Sequence, residues 1–353
     1  MKIALITDQH FGVRNDSEIF FNYFQRFYEK HFFPYIDRHN IKTVIDLGDT
    51  FDRRKYINFK TLENTKLFWF DELLKRDIKL YSIIGNHCSY YRNTIKINAN
   101  KLLLKEYSNI SVVDTPTEIK VDNLPILLVP WICADNYESC FHAIENTNAD
   151  IVMGHFELAG FEMYRGSICE NGASIEPFRK FEKVFSGHFH HRSESGNVTY
   201  LGSPYEMTWS DYDDPKGFHV FDTATRELEF IENKERIFHR INYDDSEMKL
   251  EELDDIDFKI FENCYIKIVV RKKENPYLFD LFIDRVEKAG VANLQILEDI
   301  FSLDIDGEND IIDEAKSTLE ILDDYLGAVE TRISKKRLKG LFHGLYQEAL
   351  NTE

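Results

Sequence analysis

Leu80-Tyr81-Ser82-Ile83-Ile84-Gly85-Asn86-His87-Cys88 is the stretch whose reading decides the fold of this chain. A short apolar run of this kind predicts a buried strand, and it stops abruptly at Gly-Asn-His. Closing a strand does not require Asn and His side by side. Holding a metal with one and handling a proton with the other does. The working expectation is therefore a metal site at a strand end.

Working outward, the same pattern recurs four times. Lys2–Thr7 is an apolar strand delivering Asp8-Gln9-His10, and Thr43–Leu47 is a second, delivering Gly48-Asp49-Thr50-Phe51-Asp52. Ala149–Met153 runs into Gly154-His155, and Lys183–Ser186 into Gly187-His188-Phe189-His190. Ligands at the carboxyl ends of strands share one edge of a sheet, where α/β sites form. Gly48, Gly85, Gly154 and Gly187 each stand immediately before a ligand, allowing a sharp turn and a close backbone approach. The set Asp8, His10, Asp49, Asn86, His155, His188 and His190 is imidazole, carboxylate and one amide, without thiolate, which suits Mn²⁺, Fe²⁺ or Zn²⁺. Seven ligands exceed one ion's needs, so two ions are implied, with a carboxylate able to bridge. Two ions about 3.5–4 Å apart are a standard device for in-line attack at phosphorus. A lone Gly-His or Asp-X-His is more often a surface loop; the ordered set, each member after an apolar strand, is what carries the signal.

Between these strands, Phe20–His39 and Lys60–Arg76 have helical spacing, as does Asn98–Glu106. The stripe on the second of these helices is ordinary packing or broad enough for a subunit contact. Shorter strands are expected at Ser111–Val113, Glu118–Val121 and Ile126–Val129, and a hairpin at Gly217–Asp222 and Glu227–Glu232. After about Phe238 the composition shifts to an acidic run, Asp244 to Asp257, which reads as a solvated linker. A small βαβ-like unit follows, with strands Tyr265–Arg271 and Asn293–Leu297 around a helix Pro276–Ala289. A second linker at Asp304–Asn309 leads to two helical patterns, Asp310–Leu326 and Ser334–Leu350.

The global numbers bound the class. The chain has 353 residues, 43% of them hydrophobic, enough for a large domain with a proper core plus a smaller one. No long uncharged apolar run predicts a membrane span, and the apolar start is too short for a secretory signal. Five cysteines, odd in number and without CxxC spacing, read as reduced thiols of a cytosolic protein. A net charge of −19 argues against a simple backbone-hugging DNA binder, although divalent cations or a basic partner can supply positive charge locally.

The ordered set resembles the calcineurin-like metallophosphoesterases, whose motifs run D-x-H, G-D-x-x-D, G-N-H-D/E, G-H and G-H-x-H. Within that superfamily the chain is similar to the SbcD-type recombination and repair nuclease subunits, in the form encoded by large tailed phages. Val152–Gly160, Phe185–His190, Tyr200–Pro204 and Asp214–Phe218 carry the likeness, which covers roughly the first 240 residues. The resemblance implies an α/β, four-layer fold of two packed β-sheets flanked by helices (residues 1–240), a small α/β capping domain (241–303) and a C-terminal helical pair (304–353) docking on an SbcC-type coiled-coil ATPase. It implies two divalent ions, usually Mn²⁺: Asp8, His10, Asp49 and His190 at one, and Asp49, Asn86, His155 and His188 at the other. His87 would protonate the leaving oxygen or stabilise the transition state, and Asp52 would orient a ligand or His87. It implies DNA as substrate, exonuclease and endonuclease activity, and a homodimer within a heterotetramer, in the host cytoplasm if phage-encoded. Tyr90, Tyr91 and Arg92 would contact a strand by stacking and phosphate pairing, or form an ordinary surface loop. Two other readings stand beside this one. Asp52-Arg53 is similar to the Asp-Arg of phosphomonoesterases and protein phosphatases. Cys88, where the family places a carboxylate to support the histidine, points to a metal-retaining scaffold, or to weakened catalysis that Cys88→Asp would raise.

Overall fold

The computed structural model describes residues 1–298 except 165, 166, 171 and 249. Alternation of apolar side chains along the strands sets the layers. In β1 (Lys2–Ile6), Ile3 and Leu5 face one core while Ala4 and Ile6 face another, the two-residue period of a strand buried on both sides. β1 pairs in parallel with β2 (Thr43–Asp46), β2 with β3 (Lys79–Ile83), and β3 with β4 (Ile110–Val113). The second sheet takes β5 (Thr117–Val121), β6 (Leu124–Val129) and β7 (Ile151–Gly154). After a small hairpin of β8 (Glu162–Tyr164) and β9 (Ser167–Ile168), it adds β10 (Lys183–Ser186), β11 (Ser193–Ser195) and β12 (Val198–Tyr200). β13 (Gly217–Asp222) and β14 (Leu228–Glu232) then close the first sheet in antiparallel fashion.

Each sheet has six strands, ordered β14-β13-β1-β2-β3-β4 and β11-β12-β10-β7-β6-β5. Ile3, Leu5, Ile45 and Ile83 from one sheet meet Ile126, Leu128, Ile151, Met153 and Phe185 from the other in a shared core. The outer face of the first sheet is covered by a helical run (Glu18–Phe27, a π-turn at Tyr28–Phe32, Phe33–Arg38) and a second one (Phe59–Thr65, a π-turn at Lys66–Phe70, Asp71–Lys75). Their aromatics interlock: Tyr28 and Phe32 lie 4.8 Å and 5.2 Å from the Trp69 ring. The other outer face packs on the helix Tyr137–Asn146 through Cys140 and Ile144. The four layers match the expected architecture. The Tyr137–Asn146 helix is absent from the sequence reading because only those two residues of it are buried, too few to show a period. The helix expected at Asn98–Glu106 is confined to Ala99–Leu103, capped by the Asn98 side chain.

A third sheet, all parallel, joins β15 (Phe238–Asp244), β16 (Tyr265–Lys272) and β17 (Asn293–Glu298), and the helix Pro276–Lys288 seals its core. Its first strand, Phe238–Asp244, spans the 240/241 boundary implied by the resemblance. The acidic run is not simply a solvated linker. Asp245 is buried, accepting the Glu274 and Asn275 amides at 2.6 and 3.0 Å, and Leu253 is buried in the small core. The linker at 304–309 and both C-terminal helical patterns lie outside the described residues. No helix among the described residues is long and apolar enough to cross a membrane.

Candidate metal centre

Five parallel strands, β1, β2 and β3 from one sheet and β7 and β10 from the other, end at the same edge of the sandwich. Hydrogen bonds continue past the strands and lock the loops together: Asp8 N–H donates to Gly48 O, His10 N–H to Asp49 O, and Gly187 N–H to Gly154 O. Asp8, His10, Asp49 and His188 all adopt positive φ (51, 45, 53 and 86°), a strained conformation that the surrounding bonds must impose. Close approach explains the glycines. A Cβ on Gly85 would sit 2.1 Å from Asp49 Oδ1, and one on Gly48, itself at φ 116°, would sit 2.4 Å from His155 Nδ1.

The ligand atoms are presented with their other atoms already engaged, which decides where the lone pairs point. Asp8 Oδ2 accepts the Thr7 hydroxyl at 2.8 Å and the His188 amide at 3.0 Å, leaving Oδ1 facing His10 Nε2 and His190 Nε2, each 3.8 Å away. His10 Nδ1 faces Asp52 Oδ1 at 3.2 Å, so its Nε2 is turned inward, 3.1 Å from His190 Nε2. His155 Nδ1 faces Leu47 O at 2.9 Å, turning Nε2 toward Asp49 Oδ2 at 3.2 Å and Asn86 Oδ1 at 2.9 Å. His188 Nδ1 lies 3.1 Å from the same amide oxygen. Asp49 Oδ1 accepts the His87 amide at 2.7 Å, while Oδ2 lies 3.9 Å from His10 Nε2 as well as 3.2 Å from His155 Nε2. One carboxylate oxygen of Asp49 thus lies beside His155 and His188, with the Asn86 amide against both rings, and faces His10 of the Asp8/His10/His190 cluster. Such a convergence of imidazole, carboxylate and amide atoms suits cations, and the donor set fits two divalent ions with Asp49 shared.

The electrostatics say the same. Burial alone would depress His10, yet its bonds to Asp52 and Asp8 and the charge of Asp49 carry it up to about 10. Burial likewise works against His155, but Asp49 and Asp8 raise it to about 9. Burial would raise Asp8 and Asp49, yet the neighbouring histidines hold both below the usual carboxylate range. His190 falls to about 4, through burial and the charge of His10 beside it. The pocket draws in positive charge, as protons where no metal competes.

His87 lies beside this centre, its ring 4.8 Å from that of His10. Its Nδ1 is held at 2.6 Å by the main-chain carbonyl of Asp52, which leaves Nε2 directed outward. Burial and the charge of His10 keep it below its ordinary value. Asp52 therefore serves two imidazoles, His10 through its carboxylate and His87 through its backbone. Cys88 does not take part. It is fully buried in the aromatic core, with the Phe51 and Thr50 amides near its sulfur. A carboxylate at residue 88, expected to support His87, would start from this buried position, whereas the His87 ring is already held by the Asp52 carbonyl. Tyr90, Tyr91 and Arg92 are exposed on the loop that follows, the two rings 4.7 Å apart.

Three supporting groups lie outside the sequence reading. Asp46, an acid at the end of the apolar strand β2, accepts Gly48 N–H, Thr50 Oγ1–H and Gln9 Nε2–H at 3.1, 2.6 and 2.9 Å. It ties the D-x-H and G-D turns together, and the Tyr28 hydroxyl braces Gln9 from the π-turn at 2.6 Å. A carboxylate inside an apolar strand was the available signal. Lys216 is the second: it is fully buried, and its ammonium donates to Asp211, Asp214 and the carbonyl of His190 at 2.7, 2.8 and 2.8 Å. The third is Arg54, which rests over the Trp131 ring at 5.5 Å and reaches Asn86. Nothing local separates Arg54 from Arg53 in the sequence.

The family model for calcineurin-like phosphoesterases matches residues 1–192. Exonuclease subunit 1 of Enterobacteria phage T4 is 33% identical over 353 residues, covering 99% of each chain. Phosphoesterase 078R of Invertebrate iridescent virus 3 is 25% identical over 249 residues, 69% of this chain and 66% of its own.

Proposed function

The chain belongs to the calcineurin-like phosphoesterase family, a family of metal-dependent phosphoesterases, and from that we propose that it is a DNA nuclease subunit acting in recombination and repair. The observation that carries the reading is the pair of acceptor clusters sharing Asp49 Oδ2, with His87 alongside. The full-length likeness to a phage exonuclease subunit supports a nucleic-acid substrate.

In this reading Asp8, His10, Asp49 and His190 hold one ion and Asp49, Asn86, His155 and His188 the other, with Mn²⁺ as the occupant. The ions supply an activated water and neutralise phosphodiester charge. Asp52 fixes His10 so that Nε2 faces inward, and fixes His87 so that Nε2 faces substrate. His87 lies below its ordinary value, so the negative charge of an incoming phosphate is what brings it a proton to give to the leaving deoxyribose oxygen. Tyr90, Tyr91 and Arg92 offer stacking faces and a cation to a DNA strand next to that histidine.

The phosphatase alternative rested on Asp52-Arg53, and the geometry weighs against it. Arg53 is committed elsewhere, to Asp16 at 2.7 Å and Asn15 at 2.6 Å. We further propose an SbcC-type ATPase as partner, in keeping with the relative's designation as a subunit, with the C-terminal residues docking on it and 241–303 capping the nuclease domain. A homodimer through the helical face is supported by exposed Phe59, Leu67, Leu74 and Leu102. The host cytoplasm is the proposed compartment.

The test incubates purified protein and Mn²⁺ with linear duplex DNA and, separately, with a small aryl phosphate, with and without the ATPase, alongside His190→Ala. Cleavage of DNA that is lost in His190→Ala is the expected result. Activity on the aryl phosphate alone would overturn the nuclease reading, and inactivity on both, even with ATPase and ATP, would leave a metal-retaining scaffold.

A further inference from the structure

The turn Gly48-Asp49-Thr50 carries the carboxylate that faces both halves of the centre, and Asp49 sits at a φ of 53°, where a non-glycine residue does not rest unaided. Asp46 restrains this turn by accepting Gly48 N–H at 3.1 Å and the Thr50 hydroxyl at 2.6 Å. A second restraint reaches Thr50 from a helix that supplies no motif residue. Asn100, fully buried in the helix Ala99–Leu103, donates from Nδ2 to Thr50 Oγ1 at 3.0 Å and to Ser82 Oγ at 2.7 Å.

The hydroxyl fixes the direction of that bond. Thr50 has one hydroxyl proton and gives it to Asp46, so its oxygen accepts from Asn100, and an amide turned the other way would set oxygen against oxygen. The helix carrying Asn100 is itself anchored. Ala99 N–H donates to Cys88 O at 2.8 Å, and the Asn98 side chain caps the first turn through Lys101 N–H at 2.8 Å. Thr50 is thus held from a backbone tied to the residue next to His87. As packing, the amide is a poor choice. Asn100 Oδ1 is buried with no hydrogen-bond partner among the described residues, in a stretch whose Ile95, Ala99, Leu103 and Leu104 join the aromatic core. For stability alone an apolar side chain of similar size would serve as well, since replacing both members of a buried polar pair by apolar groups is close to neutral. What an apolar side chain lacks is the donor to Thr50.

We propose that Asn100 is a positioning residue for the shared carboxylate of Asp49: its hydrogen bond to Thr50 keeps the turn in its left-handed conformation and so keeps the common ligand of both ions in place. This rests on the dinuclear phosphodiesterase reading above and adds to it a group outside the five motifs. Asn100 acts through Thr50 and not on a ligand atom, as partners behind a metal site do. Because Asp49 serves both ions, loosening its turn weakens both, whereas a defect confined to one cluster weakens one.

The test sets Ser82→Ala beside the double variant Asn100→Leu/Ser82→Ala, which differ in hydrogen bonds by the one to Thr50. Mn²⁺ is titrated by calorimetry into both and into wild type, and the metal-free proteins are melted. All three should melt within about 4 °C of one another. Ser82→Ala should bind two Mn²⁺ within about threefold of wild type, and the double variant two Mn²⁺ that are both weaker by about 10- to 100-fold. Metal affinity falling while the melting temperature holds is a separation that a merely structural role does not give. A double variant whose Mn²⁺ affinity stays within about twofold of Ser82→Ala overturns the proposal, as does weakening of one ion alone. An equal loss of affinity in Ser82→Ala overturns it, and so does a fall in melting temperature that parallels the loss of affinity. Should leucine prevent folding, Asn100→Ala in the same background is judged by the same outcomes. Wild-type behaviour separates the two layers of inference. If the wild type cleaves DNA and takes up two ions while the double variant keeps its affinity, only the role of Asn100 falls; if the wild type neither cleaves DNA nor takes up two ions, the reading beneath it falls as well.

Discussion

Replacing Lys216 with methionine should be among the most damaging single changes in the chain, although Lys216 touches no ligand side chain. Its ammonium is 1% exposed and its three hydrogen bonds go to Asp211, Asp214 and the carbonyl of His190. Methionine fills the stem but leaves two carboxylates, each 5% exposed, without their cation. Breaking a buried ion pair from one side costs about 3–5 kcal/mol. The lower end applies here, because Asp211 keeps the Met207 and Thr208 amides at 2.9 Å and Asp214 keeps His191 Nδ1 at 3.0 Å. A loss of about 3 kcal/mol against a typical total of about 5–15 is a large share. With a urea slope of about 3 kcal/mol per molar, the midpoint falls by about 1 M. Mn²⁺ titration should also show one of the two ions weakened, since the His190 carbonyl loses its donor and the ring its anchor. Adding Asp214→Asn to Lys216→Met removes one orphaned charge and should recover part of the loss, a non-additivity that simple cavity formation would not produce. A midpoint shift below about 0.3 M with both ions still tight would refute the reasoning, because the ion triad would then be dispensable.

Four further outcomes follow from the site. His10 and His155 are raised from 6.5 to about 10 and 9, so their protonation stabilises the metal-free protein fully below pH 6.5 and is lost as pH climbs through 9 to 10. Its melting temperature should therefore fall over that window. Mn²⁺ loading near pH 7 should release about two protons, read by calorimetry in buffers of different ionisation enthalpy, and no release would contradict the assignment. His87→Ala should lower kcat by about 10²- to 10⁴-fold while Mn²⁺ binding and melting temperature stay as in wild type, and loss of an ion would show His87 to be structural. Cys88→Ala should leave the rate within about twofold, whereas Cys88→Asp, placing a carboxylate in the aromatic core, should lower the melting temperature by at least about 5 °C without raising the rate. A faster Cys88→Asp enzyme would reinstate a role for residue 88 in supporting His87.

Much of the site was legible because its signals are local. An apolar run and a polar residue, in four of the five cases with a glycine before it, stand nearly consecutively in the chain, and the repetition of that unit in order is what shows in the sequence. Residues whose role depends on distant partners left no such trace. The short strand Val198–Tyr200 is a strand only because β10 offers it an edge, and Ser193–Ser195 only because Val198–Tyr200 offers it the next one. Leu253 and Asp245 belong to the small core despite their acidic neighbourhood, because β16 and the helix beyond it come to meet them.

The sequence by itself determined which side chains stand at the strand ends, and hence the donor chemistry of the candidate centre: hard and borderline donor groups, seven of them by residue type. Tertiary structure alone decided which atom of each residue faces inward. Leu47 and Asp52 choose the ring nitrogens of His155 and His10, Thr7 chooses the oxygen of Asp8, and the aromatic core takes Cys88 away from His87. It also separated Arg53, spent on Asp16, from Arg54, held over Trp131 beside Asn86. The physical reason is that a residue's type is a property of the chain, whereas the direction of its lone pairs is set by whichever donors and acceptors the fold brings to its other side.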